Sequence, residues 1–145
     1  ELPLFENFAR RGAGERRGFM SWRTIRSRAA DAMTQHDVRG GHVDATPAAL
    51  SGGNQQKFVL ARELDSTVAL LVAENPARGL DFRAASSVFE RMRLARLSGS
   101  IVVVYSPDID ELIGLVDRVV VCFAGSVREV PCTADAIGSA MIGAS

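Results

Sequence analysis

Lysine is nearly missing from this chain: of its 17 basic residues one is Lys57 and the others are arginine. Lys57 precedes Phe58, so no Gly-x-x-x-x-Gly-Lys-Ser/Thr phosphate loop is present, which excludes a self-contained nucleoside triphosphatase of that kind. Long apolar runs are missing too, and none approaches the ~18–20 residues of a membrane-spanning helix. The formal net charge is +0, which removes any bulk electrostatic case for a nucleic-acid or membrane partner. Two cysteines, Cys122 and Cys132, are too few for a disulfide framework. Cys122 lies in an apolar run and reads as a buried free thiol of a reducing cytosol, with no bridge to Cys132 expected. Glu1 to Asn7 lack a basic start followed by an apolar stretch, so no secretory signal is visible, and a start without Met reads as a piece of something longer. What is present is ordinary for a globular domain: 145 residues, 47% hydrophobic and 23% charged.

The N-terminal third is polar and glycine-interrupted, and Arg10 to Gly18 read as a solvent loop. Ser21 can cap a helix to about Gln35, with Trp22, Ile25, Ala29, Ala32 and Met33 at helical spacing. Gly40-Gly41 closes that unit. From Thr67 the texture changes to short apolar strands alternating with helices. Val68 to Ala73 and Ile101 to Tyr105 read as strands covered on both faces. Ala84 to Leu97 carries a helical stripe of Ala85, Val88, Phe89, Met92 and Ala95, and a short helix is expected near Asp110 to Leu115. Arg118 to Phe123 and Ser126 to Val130 flank Ala124-Gly125 as a hairpin. Thr133 can cap a last helix from Ala134 to about Ile142. Strand–helix–strand alternation implies an α/β fold with a mostly parallel sheet and right-handed crossovers. His36 and His42 read as surface or capping residues.

The most specific string is Leu50-Ser51-Gly52-Gly53-Asn54-Gln55-Gln56-Lys57. It reads as a tight Gly-Gly turn opening a helix from Gln55 to Glu63, with Ser51 placed to cap it. A helix start gathers unpaired N–H donors and the positive end of the peptide dipoles, which suits a phosphate. Two glycines let that phosphate approach the backbone with no Cβ in the way. Ser-Gly-Gly alone would be only a loop and a cap.

The whole octapeptide, however, resembles the signature motif of ABC-type ATPases, and its Asn-Gln-Gln-Lys ending resembles the variant in bacterial importers of simple sugars and nucleosides. A second stretch agrees in register: Leu70-Leu71-Val72-Ala73-Glu74-Asn75-Pro76-Ala77-Arg78-Gly79-Leu80-Asp81 is similar to the family's Walker B strand and the turn after it. Two positions depart from the family pattern. Glu74 stands in place of the metal-binding aspartate and could still reach a Mg²⁺ shell. Asn75 stands in place of the glutamate that polarises the attacking water, and an amide cannot accept a proton. After the next strand the family has a histidine following a serine. Here Pro107 follows Ser106, and proline offers neither a side-chain donor nor an N–H.

The resemblance covers roughly Leu4 to Val130 and implies the later part of a nucleotide-binding domain. That is the ABC helical subdomain at 1–65, with the signature at 50–57, followed by the C-terminal half of a RecA-like P-loop NTPase core at 66–145, the phosphate-loop portion missing. Such domains sandwich ATP between two halves. Ser51, Gly52, Gly53 and Asn54 would then bind ATP held by another nucleotide-binding half, and Asp81 would cross the dimer contact. The groups serving the chain's own site are degraded, as in the second of two fused halves, and Asn75 leans toward the nucleoside-type relatives. The implied cofactors are ATP and Mg²⁺ in the full assembly. The implied partners are that other half and transmembrane permease subunits, with no nucleic acid, at the cytoplasmic inner face of the membrane. Two rivals remain: a working ATPase half with Glu74 as base, and a nucleotide-independent interaction module. The isolated chain, with a sheet edge uncovered, is expected to self-associate and not to hydrolyse ATP.

Overall fold

A computed structural model describes residues 1–14, 17–66 and 68–144. Glu15 and Arg16 of the expected arginine-rich loop, and Thr67 where the texture changes, lie outside the described residues. In chain order the elements are α1 (Leu4–Ala9), α2 (Trp22–Gln35), a 3₁₀ turn (Pro47–Ala49), α3 (Gly52–Glu63), β1 (Leu70–Glu74), α4 (Phe82–Leu97), β2 (Ile101–Tyr105), α5 (Ile109–Ile113), β3 (Val119–Phe123), β4 (Ser126–Val130) and α6 (Ala134–Met141). Two compact units emerge, one of residues 1–71 and 76–102, the other of 72–75 and 103–145.

The first unit is built on an apolar cluster shared by α1, α2, α3 and the loop before α3. Leu4, Phe5 and Phe8 meet Ile25, Ala29 and Met33, together with Val43, Leu50, Phe58 and Ala61. The period of the α2 stripe reads correctly from sequence except at its first member, since Trp22 stays 44% exposed while its ring meets Phe5 edge-on. The first free N–H groups of α1 are met by the chain itself: Leu4 donates to the Ala45 carbonyl at 2.8 Å and Phe5 to that of Val43 at 3.0 Å. Arg11, expected in solvent, instead pairs with Glu63 at 3.3 Å and donates to Ser66 at 2.8 Å. Arg62 reaches Asn7 at 2.6 Å, so guanidinium groups tie α1 to the far end of α3.

Helix α4 begins at Phe82, two residues before the expected start, because the Asp81 carboxylate accepts from the Ala84 N–H at 2.9 Å. Val88, Met92 and Ala95 of its stripe are buried, and Ala85 and Phe89 are half-buried. His36, expected as a surface or capping residue, is the C-cap of α2 but is buried, and its Nδ1 has no partner among the described residues. Burial, and then the Arg91 charge, pushes its imidazole down from 6.5 to about 4. The unfolded chain therefore takes up a proton that the folded chain refuses. Stability is full above pH 6.5 and falls as pH drops toward 4, by up to ~3 kcal/mol from this residue. Urea midpoints of the chain should fall between pH 7 and 4.5, and His36→Gln should flatten that slope; equal slopes would refute the assignment.

Strands β1 and β2 pair and run parallel: Ile101 donates to the Ala69 carbonyl at 2.9 Å near one end, and Asn75 to the Tyr105 carbonyl at 2.7 Å at the other. Full coverage of these strands does not hold within this chain. Leu70, Val72, Ile101, Val103 and Tyr105 are 48–67% exposed, and in parallel register they form one stripe. Only Leu71 of β1 is buried, because nothing in the described residues covers the opposite face. Exposed apolar sheet surface of this kind associates. Light scattering of the chain at rising concentration should show self-association that Val72→Lys with Val103→Lys reduces; a monodisperse monomer before substitution would contradict this.

In the second unit, β3 and β4 form the expected antiparallel hairpin, Val119 opposite Val130 and Phe123 opposite Ser126. Ala124 and Gly125 take φ 47° and 77°, the left-handed pair that a two-residue hairpin turn requires. Val119 and Val121 face Ile137 and Ala140 of α6, whose N-terminus Thr133 caps. Cys122, expected in the core, alternates outward and is exposed, and both cysteines are free thiols.

Candidate functional site

The octapeptide does not fold as a turn followed by a helix. Gly52 and Gly53 are already the first residues of α3, and Leu50 and Ser51 before them are extended, Ser51 at φ −62° and ψ 158°. Ser51 holds the N-cap place without capping: no side chain accepts from the helix start. Its hydroxyl is engaged instead by the Asn54 amide, Nδ2 to Oγ at 2.9 Å. The other end of that amide, Oδ1, accepts from the Arg39 N–H at 2.7 Å. The arrangement fixes Asn54 and Ser51 while leaving the leading N–H groups of α3 without a side-chain partner. Those donors and the helix dipole point where an anion would sit.

The two glycines do different work. A Cβ at Gly52 would meet nothing within 4 Å, so its backbone is open to an approaching group. A Cβ at Gly53 would stand 3.3 Å from the Ala84 Cβ and 3.9 Å from Leu80. Gly53 thus permits α3 to pack against the first turn of α4, and it places the Leu80-Asp81 turn beside the signature. Asp81 itself caps α4. Lys57, at the end of the octapeptide, is bound at 3.1 Å to the Asp37 carboxylate, which Arg39 also holds at 2.7 Å. Those two contacts, Arg39 first, hold the Asp37 carboxyl below its usual range. Gln55 donates to the Pro47 and Leu50 carbonyls at 3.2 and 3.1 Å, which anchors the approach to the helix.

Glu74, Asn75 and Pro107 belong to the other unit. The Asn75–Tyr105 hydrogen bond sets the ends of β1 and β2 side by side, so Glu74-Asn75 and Ser106-Pro107 leave the sheet at one carboxyl edge. In open α/β sheets that edge is where ligands bind. Asn75 has φ 46°, a left-handed conformation that asparagine tolerates better than most residues. Pro107 is exposed, and Ser106 turns its hydroxyl to Glu111 at 2.8 Å. Asp108 caps α5 by accepting from Asp110 and Glu111.

Glu74 is a lone exposed carboxylate at a strand end, and no group of three His, Cys, Asp or Glu side chains among the described residues could share one ion. These residues by themselves do not build a Mg²⁺ site. The start of α3, with no side-chain cap and an open Gly52 backbone, has the kind of donors that suit a phosphate group.

No family model matches the chain. Sequence relatives are nonetheless numerous. The chain is 36% identical over 130 residues to the nucleoside import ATP-binding protein NupA of Lactococcus lactis, covering 87% of this chain and 26% of that protein. It is 45% identical over 105 residues to a glucose import ATP-binding protein of Haloferax volcanii, covering 71% and 19%. Against the guanosine import ATP-binding protein NupO of Bacillus subtilis the figures are 36% identity, 81% and 24%. Among solved structures, a dimeric bacterial ABC transporter cassette superposes with a TM-score of 0.73 at 28% identity, over 88% of this chain and 56% of that one. A post-hydrolysis state of that cassette, also dimeric, is bound to ADP and phosphate.

The fold and the helix entrance together define the class: the chain belongs to the ABC-type ATPase cassettes, of which it is a part. Its sequence relatives within that class are the ATP-binding proteins of sugar and nucleoside importers, and it spans between 19% and 26% of the length of those named here.

Proposed function

We propose that this chain is the later part of the second, catalytically degenerate nucleotide-binding half of an importer for simple sugars or nucleosides. Ser51, Gly52, Gly53 and Asn54 complete the ATP site of the other half, where their amide groups meet the γ-phosphate. Asp81 and its turn lie at the contact between the halves and couple the two sites. Glu74 is a weak metal ligand at the chain's own site, Asn75 cannot act as a base there, and Pro107 has no proton to offer a phosphate. The first 65 residues form the helical subdomain and the remainder the back half of the core. ATP and Mg²⁺ are held by the full assembly. Permease subunits in the membrane turn closure of the halves into import, with the ATP-binding protein peripheral on the cytoplasmic face.

One observation carries this reading: among the described residues the start of α3 has no side-chain cap and is open at Gly52. The test is Glu74→Gln in the full-length protein. ATP turnover of the assembly should change less than twofold, against the ~10²–10⁴ drop expected if Glu74 were a working general base. A drop of that size would transfer the reading to the active-half alternative.

A further inference from the structure

Between the C-terminal ends of α2 and α3, the middle of α4 and the start of β2, within the first unit, lies a cavity of about 190 Å³ that no role above uses. Its wall is apolar at Leu64 and Leu94 and polar at His36, Ser66 and Arg91. His36 is 8% exposed and has a buried Nδ1 with no partner, an arrangement that costs free energy unless something satisfies the ring. Arg91 shares the wall. One of its nitrogens donates to the Gln35 carbonyl, and among the described residues no carboxylate pairs with it. Ser66 accepts from Arg11 at 2.8 Å, which leaves its own hydroxyl proton free to donate. The hydroxyls of Ser98 and Ser100 are already given to the carbonyls of Leu94 and Val68, at 2.9 and 2.7 Å, so they do not compete as donors.

Arg91, Ser66 and His36 thus line one cavity whose wall carries a positive charge and no carboxylate. We infer that this cavity is a binding site for a small oxyanion, a free phosphate or a short carboxylate, held by Arg91 with Ser66 and the His36 ring as further donors. Guanidinium is suited to this, because its planar fork matches two oxygens of a carboxylate or phosphate. The volume admits such an anion and a few waters, each of which occupies ~30 Å³ in the liquid. A half-turn of the His36 ring exchanges a nitrogen for a carbon at the same place, so the imidazole can present either nitrogen to the occupant. The Leu64 and Leu94 wall favours a carboxylate with a short apolar tail over bare phosphate.

The site is independent of the signature, and so is its test. The imidazole resonances of His36 in the full 145-residue chain would be followed by NMR during titration with inorganic phosphate, and separately with butyrate, at constant ionic strength set with chloride. A saturable shift is expected, with butyrate saturating at lower concentration. Arg91→Gln should weaken binding by roughly tenfold or more and Arg91→Lys by less, while Arg23→Gln, an exposed change on α2, should leave it unaltered. Circular dichroism of each variant separates lost binding from lost fold. No saturable shift with either anion would mean that the cavity holds water only and would overturn the inference. An equal shift in well-folded Arg91→Gln would overturn it as well.

Discussion

Replacing Gly52 with glutamate in the full-length protein should lower ATP turnover of the assembled transporter by about 10²–10³ while leaving the fold intact. The backbone N–H groups stay, but the new side chain fills the open space before them and keeps the phosphate from reaching them, an effect comparable in size to losing one preorganised donor. A carboxylate placed there also sets a negative charge against the γ-phosphate. The fold should survive because a Cβ at Gly52 meets no atom within 4 Å and the position opens outward. Gly53→Ala is the instructive contrast. Its Cβ would press on Ala84 at 3.3 Å, so turnover should fall together with thermal stability. Turnover of Gly52→Glu within twofold of the unmodified assembly would favour the interaction-module reading instead.

Phe58→Ala is expected to destabilise the chain by ~3–5 kcal/mol, the range for emptying a buried aromatic position. Phe58 is 3% exposed in the cluster joining α1, α2 and α3, on the same helix whose first turn offers the phosphate donors. Typical domain stability is only ~5–15 kcal/mol, so this one change approaches the whole margin. The donors at Gly52 would lose their placement even though no residue near them had changed. Chemical denaturation of the chain checks the figure, and a loss below ~1 kcal/mol would show that α3 is held by something other than this core.

Legibility of the sequence varied with the kind of signal. The hairpin was readable because Ala124-Gly125 is a local turn signal between two apolar runs, and its register needs no distant partner. The β2 boundaries were equally plain, yet its burial was not: Ile101 and Val103 have the residue types of a covered strand but stand exposed. Apolar content records what a strand is made to meet in a complete domain, and this chain spans only part of its relatives. His36 does hold a cap position, at the end of α2, but its burial was not readable, because one histidine in a polar stretch carries no periodic signal and Arg91 beside it lies far along the chain. At the signature the local geometry departs from what the motif suggests. Ser51 occupies the cap position, but the choice of Asn54 over a backbone N–H as its hydroxyl's partner depends on Arg39 fixing the amide from outside the motif. The changes at Glu74, Asn75 and Pro107 were legible too, since a departure from a family pattern needs no geometry to be seen.

The most direct measurement is a nucleotide-bound structure of the parent assembly. The amide nitrogens at Gly52 and Gly53 should lie within ~3 Å of γ-phosphate oxygens on a nucleotide whose lysine-bearing loop belongs to the other half. A triphosphate anchored there, with the first turn of α3 aimed away from it, would contradict the account at its root.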